Sequence, residues 1–440
     1  MLQLTIHAWD ALSPQERRDA LRRPAQNASA AIHAQVAAMI AEVRARGDAA
    51  LIEYTAKYDG AQLTSLQVTE AEFAAAERAL TPVQHEALQR AIANVQRFHE
   101  AQRSAPLQLE TSPGVMCERY FIPLEAVGLY VPAGTAPLPS AAIMLAVPAR
   151  IAGCERRVLC TPPRRDGTAD PAVLVAAKAC GVTEVFKIGG AQAVAAMAYG
   201  TASVPKVDKI FGPGNAWVTA AKLLVSNDPA GAALDLPAGP SEVLVVADDS
   251  ANPEFVAADL LAQAEHSVDA QAVLVALSKP FAERVIAEID RQLKTLSRSS
   301  TLGEAIRNTR IFVVASLRDA LALSNAYAPE HLILQIREPR TALKQVRHAG
   351  SVFLGSWTPE TMGDYCSGTN HVLPTYGFAR AYSGLSLIDF MKRMTVQELS
   401  ADGLQDLGPT AIEIAKLEGL DAHANAVECR LRELQTGRSS

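Results

Sequence analysis

From about residue 125 onward, short apolar runs alternate with alanine-rich stretches that have helical spacing. The first series of runs covers residues 127–131, 157–160, 184–188 and 209–211. The second series covers residues 243–246, 272–276, 311–314, 332–336 and 351–354. This alternation is typical of successive βα units that build a parallel sheet. The Gly- and Pro-rich stretch 236–240 separates the series, so the sequence predicts an α/β fold with two doubly wound domains.

The segments that flank these series differ from them. Residues 27–102 have apolar side chains at spacings of three and four, which predicts a helical N-terminal segment. From about residue 381 onward the sequence has no evident strand pattern, and a helical tail of this length cannot build a core alone. We therefore expect the tail to dock on the body of its own chain or on another subunit.

Charge and composition exclude several classes of protein. The 440 residues carry a net charge of -6, with acids and bases interspersed, so no basic stripe is available for nucleic acid. The charge-free stretch 126–149 is long enough to span a bilayer, but its four prolines would break such a helix. The first ten residues lack a basic segment followed by an apolar core, which predicts no secretion signal. Six cysteines without a Cys-x-x-Cys pair predict neither a thiolate zinc site nor disulfides, and indicate a cytoplasmic location.

Polar groups that could hold a metal occur in three places. The aperiodic stretch around residue 364 contains Asp364 and, a few residues later, Asn370 and His371. Gln263 and His266 are predicted near the end of a helix that starts at Pro253, and their spacing of three places them on one face. His423 is predicted just inside a helix that Asp421 could cap. Oxygen and nitrogen ligands without thiolates favour zinc or a related divalent ion in a site open to substrate. Taken singly, Gln263 and His266 also fit a solvated helix face, Asp364 a turn or helix cap, and His423 a packed or surface histidine.

Glu330 and His331 are predicted at the start of an apolar strand. Within a regular strand adjacent side chains point to opposite faces, so the two can share a site only at the strand end. A carboxylate beside an imidazole that titrates near neutral pH suits general acid–base catalysis. A solvated Glu-His pair before a strand is the alternative.

The glycine pattern does not identify a nucleotide site. Gly212-Pro-Gly-Asn215 follows a predicted strand and opens a helix, but it lacks the third glycine of the dinucleotide fingerprint. The loops 188–192 and 130–134 also follow predicted strands, where ligands of open parallel sheets usually bind. Tight strand-to-helix turns would explain the same glycines.

Seven motifs together resemble the histidinol dehydrogenase family, in the right order from about Gly47 to His423. They are Gly128-Leu-Tyr-Val-Pro-Ala-Gly, Ile210-Phe-Gly-Pro-Gly-Asn, Ala238-Gly-Pro-Ser-Glu-Val, Ala264-Glu-His, Ala328-Pro-Glu-His-Leu, Gly363-Asp-Tyr and Gly368-Thr-Asn-His-Val-Leu-Pro-Thr. The resemblance implies a zinc-dependent, four-electron oxidation of L-histidinol to L-histidine through an aldehyde, with two NAD used in turn.

The resemblance also assigns roles to individual residues. It implies that Glu330 and His331 are the acid–base pair. The zinc ligands that it implies, which also contact the substrate, are Gln263, His266, Asp364 and His423. The further substrate contacts that it implies are Ser241, His371 and Glu418, and His331 also contacts the substrate. The NAD contacts that it implies are Tyr130, Gln192 and Asn215.

The resemblance further implies a homodimer of two incomplete Rossmann-like domains, with a tail that crosses to the partner and a metal site shared between subunits. The expected division is 27–129 with 243–385 as a discontinuous metal-binding domain, 130–242 as the NAD domain, 386–411 as a tail segment, and 1–26 with 412–440 as a helical terminal domain. Cys366 stands where relatives commonly carry a small residue, and Ser267-Val268 replaces a more usual Gly-Pro. Both departures lie beside expected ligands rather than at them.

Three other functions are compatible with parts of this pattern. A related dehydrogenase acting on another primary alcohol, such as a sulfonated diol, would keep the metal and Glu-His residues but change the substrate contacts. A zinc hydrolase could use the same ligands with Glu330 as its base, but it would not need NAD. A binding protein would have no use for the Glu-His pair.

Overall fold

The computed structural model describes residues 4–23, 29–133, 136–237, 239–296 and 299–436. Gly134 and Ala238 of the motifs above, and the expected boundary between residues 26 and 27, lie outside the described residues. The chain forms two compact units. The larger unit contains 1–102 and 124–390, and the smaller one contains 103–123 and 391–440.

The strands follow one another along the chain in this order: β1 (Ile6–Ala8), β2 (Leu107–Ser112), β3 (Val115–Pro123), β4 (Ala126–Tyr130), β5 (Arg156–Thr161), β6 (Glu184–Lys187), β7 (Lys209–Phe211), β8 (Ala233–Leu234), β9 (Glu242–Ala247), β10 (Gln271–Ala276), β11 (Arg310–Val313), β12 (His331–Gln335), β13 (Ser351–Leu354) and β14 (Met391–Leu399).

The helices are α1 (Pro14–Ala20), α2 (Ser29–Arg46), α3 (Asp48–Tyr58), α4 (Glu70–Ala79), α5 (Pro82–Glu100), α6 (Pro139–Ala152), α7 (Pro171–Ala179), α8 (Gly190–Tyr199), α9 (Ala216–Ser226), α10 (Pro253–Ala264), α11 (Lys279–Gln292), α12 (Ser299–Ala305), α13 (Leu317–Tyr327), α14 (Pro339–Ala342), α15 (Glu360–Tyr365), α16 (Ala401–Leu417) and α17 (Asp421–Thr436).

The larger unit contains two parallel sheets. One has six strands in the order β1-β11-β10-β9-β12-β13, and the other has five in the order β6-β5-β4-β7-β8. In the six-stranded sheet, β9, β10 and β11 lie side by side in chain order, and β12 and β13 follow on the other side of β9. In the five-stranded sheet, β4, β5 and β6 lie side by side in the same way, and β7 and β8 follow on the other side of β4. This is the order of a doubly wound fold. The predicted α/β class is confirmed, and every apolar run named above overlaps a strand.

Strand β9 shows why the six-stranded sheet needs helices on both faces. Its side chains are buried without the alternation of a half-exposed strand. Val243 and Val245 pack in one core with residues of α10 and α11, whereas Leu244 and Val246 pack in a second core with residues of α13. Successive side chains of a strand point to opposite faces, so a strand that is buried throughout requires cover on both sides.

Local sequence chemistry places the helix that leads to the expected metal ligands. Asn252 caps α10, since its Oδ1 accepts a hydrogen bond of 2.9 Å from the amide of Glu254, and Pro253 occupies the first helical position. The buried residues of α10 lie against the same face of the sheet as Val243 and Val245. The end of α10 is therefore fixed by packing and by its capped start.

The charge-free stretch 126–149 does not form one helix. It contributes β4 and the first part of α6, in which Pro139 lies at the helix start and Pro148 lies within the helix. Among the described residues, no helix is both long and apolar enough to cross a membrane.

The smaller unit differs from the sequence prediction. Strands β2, β3 and β14 form an antiparallel sheet in the order β14-β3-β2, so the expectation of no strand after residue 381 was wrong. Strand β14 has mostly exposed side chains and therefore lacks the buried, apolar pattern by which strands are predicted from sequence. Helices α16 and α17 pack on each other through a small core that includes Ile412, Ala415 and Ala424.

The N-terminal residues also differ from the expected division. We predicted that residues 1–26 would join 412–440 in a helical terminal domain, but β1 is an edge strand of the six-stranded sheet and pairs with β11. Three residues are too short a run for a periodic pattern to predict. The other expected domain boundaries stay a prediction.

Candidate active site

Glu330 and His331 lie at the amino end of β12, as predicted, and both are buried. The backbone of Glu242, the first residue of the neighbouring strand β9, contacts both side chains. Its amide donates a hydrogen bond of 2.8 Å to Oε2 of Glu330, and its carbonyl oxygen lies 3.2 Å from Nδ1 of His331. Nδ1 of His331 also lies 3.6 Å from Oε2 of Glu330. The strand end thus brings the pair into one site.

The contact with Glu242 determines which nitrogen of His331 carries hydrogen. A backbone carbonyl oxygen can only accept, so Nδ1 of His331 must donate to it. In the neutral ring, Nε2 then holds the free electron pair. Nε2 has no hydrogen-bond partner and lies 3.5 Å from Oδ1 of Asp364. His331 therefore presents a basic nitrogen on the side of Asp364.

Asp364 connects His331 with the first group of expected metal ligands. It lies on α15 and is buried, and its Oδ2 is 3.9 Å from Nε2 of His266. One carboxylate thus faces two imidazoles, one through each oxygen.

Glu360 is a further acidic residue that the sequence analysis did not identify. Its carboxylate lies 3.9 Å from Nδ1 of His331, is buried, and makes no hydrogen bond through either oxygen. Ligand atoms of His266, Glu360 and Asp364 lie within 4.8 Å of one another, close enough to hold a metal ion. The spacing of four between Glu360 and Asp364 was the available signal, because it places both on one face of a helix.

Gln263 and His266 are close in the chain but not on one helix. Helix α10 ends at Ala264 and Glu265 caps it, so His266 lies beyond the helix and the predicted helical face was wrong for that residue. Gln263 is fully buried, and neither its Oε1 nor its Nε2 has a hydrogen-bond partner. A buried amide without partners is costly, and coordination of a metal through its oxygen would satisfy it in part.

The electrostatics of the site follow from burial and from the cluster of carboxylates. Burial raises the pKa of Glu330 to about 8, against the lowering effects of His331 and of the Glu242 amide. Burial by itself would lower the pKa of His331, but the nearby carboxylates outweigh it and hold that pKa well above its usual value. The pKa of Asp364 is lowered, although burial acts in the opposite direction, chiefly because of its contact with His331.

The remaining expected substrate contacts lie in two places. Ser241 directly precedes Glu242, and its carbonyl oxygen accepts a hydrogen bond of 3.1 Å from the amide of Gln271. His371 follows α15, and its Nε2 is buried without a hydrogen-bond partner. Burial lowers the pKa of His371, against the opposing effect of Asp364. Glu418 caps the end of α16 and His423 lies on α17, both exposed in the smaller unit.

The expected NAD contacts follow three strands of the five-stranded sheet. Tyr130 ends β4, and its hydroxyl accepts a hydrogen bond of 3.0 Å from the amide of Gly190 at the start of α8. Gln192 is buried in the first turn of α8. Asn215 follows β7 and caps α9 through bonds of 3.0 and 3.2 Å to the amides of Trp217 and Val218. The strand order reverses between β4 and β7, where open parallel sheets bind ligands.

Comparisons with known proteins agree with this arrangement. The family model described as histidinol dehydrogenase matches residues 21–431. The histidinol dehydrogenase of Xanthomonas euvesicatoria pv. vesicatoria (strain 85-10) is 56% identical over 428 residues, which cover 97% of this chain and 99% of the relative. That of Vibrio parahaemolyticus serotype O3:K6 is 54% identical over 430 residues, covering 98% of this chain and 99% of the relative.

A solved structure is similar over the same extent. The crystal structure of histidinol dehydrogenase from Elizabethkingia anophelis superposes with a TM-score of 0.93 at 43% sequence identity, and covers 99% of both chains. Family model, sequence relatives and fold thus agree over almost the whole length, and the chain belongs to the histidinol dehydrogenase family.

Proposed function

We propose that this chain oxidises L-histidinol to L-histidine through L-histidinaldehyde, with Glu330 and His331 as the acid–base pair and zinc held by Gln263, His266, Asp364 and His423. The observation that carries the proposal is Asp364, whose two oxygens face His331 and His266. A metal ligand and a basic nitrogen are thereby held next to each other. This is the juxtaposition that a metal-oriented alcohol oxidation needs.

The residues present fit a zinc ion. The donors are imidazole nitrogen, carboxylate oxygen and amide oxygen, and the buried amide of Gln263 has no other partner. Zinc bound there supplies a positive charge that orients the hydroxyl-bearing substrate. His423, on the exposed surface of α17, is the fourth proposed ligand. Glu360 adds negative charge beside the group formed by His266 and Asp364.

His331 is the proposed base for the alcohol step. Its Nδ1–H is held by the carbonyl oxygen of Glu242, so Nε2 accepts the proton of the substrate hydroxyl when the ring is neutral. The burial of the ring keeps bulk water away from that proton transfer. The nicotinamide of NAD is the hydride acceptor.

Glu330 is the proposed base for the aldehyde step. Its carboxylate is held by the Glu242 amide, and its other oxygen is available to accept a proton from water that adds to the aldehyde. The hydrate then gives up the second hydride and yields the carboxylate of L-histidine. Two neighbouring bases with different environments thus serve two successive oxidations.

Tyr130, Gln192 and Asn215 are the proposed NAD contacts. They follow β4, β6 and β7, and two of these strands flank the point at which the strand order reverses. Asn215 uses Oδ1 to cap α9, so its Nδ2 remains for a ligand. Ser241, His371 and Glu418 are proposed as further substrate contacts. The unpartnered Nε2 of His371 supports that role for this residue.

The protein is further proposed to be a homodimer in which the metal site is shared, with His423 reaching the site of the partner subunit. Apolar side chains that remain exposed on α16 and after it support an additional packing partner: Ile414, Leu417 and Leu420. We also propose a cytoplasmic location, supported by six cysteines that are all free thiols. The two separately wound sheets support a division between 243–385 and 130–242, whereas β4 begins at Ala126 and residues 103–123 belong to the smaller unit, so 27–129 does not join 243–385 as a whole.

The proposal is tested by following NADH absorbance with purified protein, L-histidinol and NAD. We expect two NADH formed per L-histidinol consumed, with L-histidine as the product. A zinc hydrolase would form no NADH, and an enzyme specific for another alcohol would turn over that alcohol but not L-histidinol. Either result would refute the proposed function.

A further inference from the structure

A buried cluster lies directly behind the acid–base pair and involves the side chain of Glu242. The backbone of this residue holds Glu330 through its amide and His331 through its carbonyl oxygen. In the described part of the chain, Glu242 is the residue whose backbone contacts both members of the pair. The positions of Glu330 and His331 therefore depend on the positions of the two peptide groups that flank Glu242.

The side chain of Glu242 is itself held by Arg23, from the segment between α1 and α2. Nε of Arg23 donates a hydrogen bond of 2.6 Å to Oε2 of Glu242, and Nη2 donates one of 3.0 Å to Oε1. This is a two-point pair between a planar guanidinium and a carboxylate, which fixes orientation as well as distance. The Arg23 side chain is 9% exposed and that of Glu242 is 2% exposed.

Tyr327 completes the cluster and connects it to the strand that carries the bases. Its hydroxyl lies 2.9 Å from Oε2 of Glu242 and 2.7 Å from Oε1 of Gln271, and its single proton serves one of these two acceptors at a time. Its ring lies under the Arg23 guanidinium, whose central carbon is 3.9 Å from the ring centroid. Nη2 of Arg23 also donates a bond of 2.8 Å to the carbonyl oxygen of Tyr327, three residues before Glu330. Arg23 thus contacts both the start of β9 and the segment leading into β12.

We propose that Arg23, Glu242 and Tyr327, which we call the Arg23 clamp, are positioning residues that fix Glu330 and His331 for catalysis. The inference rests on the proposed roles of that pair. Removing the guanidinium leaves the Glu242 carboxylate buried without its charge partner, and such a group shifts toward other partners or water. Because the Glu242 peptide holds both bases, its displacement misplaces both, and small misplacements of reacting groups cause large losses of rate.

Arg23→Met is the main test, since it keeps the length and apolar contacts of the stem but removes the charge and the donors. We expect kcat to fall by about tenfold to a hundredfold in both L-histidinol and L-histidinal oxidation. Bound zinc should stay within about twofold, because none of the proposed metal ligands contacts the clamp, and KM should change less than kcat. Arg23→Lys, which restores one charge but not the two-point geometry, should recover part of the loss.

Arg157→Met is the matched control for the loss of a structural arginine. Arg157 is half-buried at the amino end of β5 and donates to the carbonyl oxygens of Cys154 and Gly181, at 2.6 and 2.9 Å. It should lower thermal stability while kcat per folded enzyme is unchanged. An equal fall in kcat for both variants at matched folded fraction would overturn the proposal, as would unchanged kcat in Arg23→Met.

A double-mutant cycle separates this inference from the function on which it rests. If Arg23 acts through Glu330, then Arg23→Met should cause little further loss of aldehyde oxidation in a Glu330→Gln background. Multiplicative losses would overturn the proposal. If Glu330→Gln alone keeps full aldehyde oxidation, the proposed role of Glu330 fails, whatever the Arg23 variants do.

Tyr327→Phe provides a second variant if Arg23→Met does not fold. It removes the hydroxyl, and with it the contacts to Glu242 and Gln271, and keeps the ring under the guanidinium. We expect kcat to fall by about threefold or more, with KM and zinc unchanged, in line with the loss of one hydrogen bond to a charged group. A fully active Tyr327→Phe enzyme together with an unfolded Arg23→Met chain would assign the cluster to stability alone and overturn the proposal.

Discussion

Oδ1 of Asp364 lies 3.5 Å from Nε2 of His331, and the other oxygen of the same carboxylate faces His266. The proposed metal site and the proposed base therefore share one side chain. This contact links metal binding to proton transfer at His331. Metal content and the rates of the alcohol and aldehyde oxidations should therefore both be measured on each variant.

The first prediction concerns the metal. Treatment with a chelator should abolish turnover and added zinc should restore it. His266→Ala and Asp364→Asn should each weaken zinc binding by more than about a hundredfold, beyond the range found for loss of residues that only support ligands. Elemental analysis and competition with a chromogenic chelator measure this. His85→Ala, which removes a histidine outside the site, is the control. Full activity of metal-free protein would contradict the prediction.

The second prediction concerns Glu360. Glu360→Gln keeps the shape of the side chain but removes a buried negative charge close to His266 and Asp364. We expect zinc affinity to fall by about tenfold or more, as for other groups that support a metal site. Competition titration measures the affinity, with the exposed Glu338→Gln as control. Unchanged affinity in Glu360→Gln would show that its charge does not act on the metal.

The third prediction separates the two bases. Glu330→Gln should slow oxidation of supplied L-histidinal by about a hundredfold or more, because the base that activates water is lost. The first hydride transfer from L-histidinol should be affected far less, since Nε2 of His331 accepts that proton. Stopped-flow recording of NADH formation distinguishes the two steps. Equal losses in both would refute the division of labour.

The fourth prediction is a pH dependence. Burial raises the pKa of Glu330 to about 8, and a general base acts only when it is ionised. Activity is therefore gained as pH rises: kcat/KM for L-histidinal should increase about tenfold per pH unit below about pH 8 and level off above it. A rate that is already constant from about pH 6 upward would contradict the raised pKa of Glu330 in the active enzyme.

The fifth prediction concerns the shared site. His266→Ala and His423→Ala homodimers should each be inactive. When the two are unfolded and reassembled together, about half of the dimers are mixed, and each mixed dimer has one site with both histidines intact. Activity should recover to about a quarter of wild type. Mixed dimers confirmed by mass spectrometry but lacking activity would place His423 in the site of its own chain or outside the site.

The sequence by itself determined the α/β class and nine of the eleven strands of the two parallel sheets, because fully buried strands are continuous apolar runs that local composition reveals. It also predicted Glu330 and His331 at a strand end, since the apolar run of β12 starts at that point. The motifs identified the family, and the comparisons confirmed it. Strand β14 was missed because its exposed side chains leave no apolar periodicity.

Only the tertiary structure decided how distant residues meet. The acid–base pair lies at the amino edge of the six-stranded sheet, opposite to the carboxyl edge where ligands of such sheets usually bind, so a rule based on strand order would not have found it. Glu360 and the Arg23–Glu242 pair depend on contacts between segments far apart in sequence. Side-chain periodicity reports only which face of its own element a residue occupies, whereas these contacts are set by the packing of elements against one another.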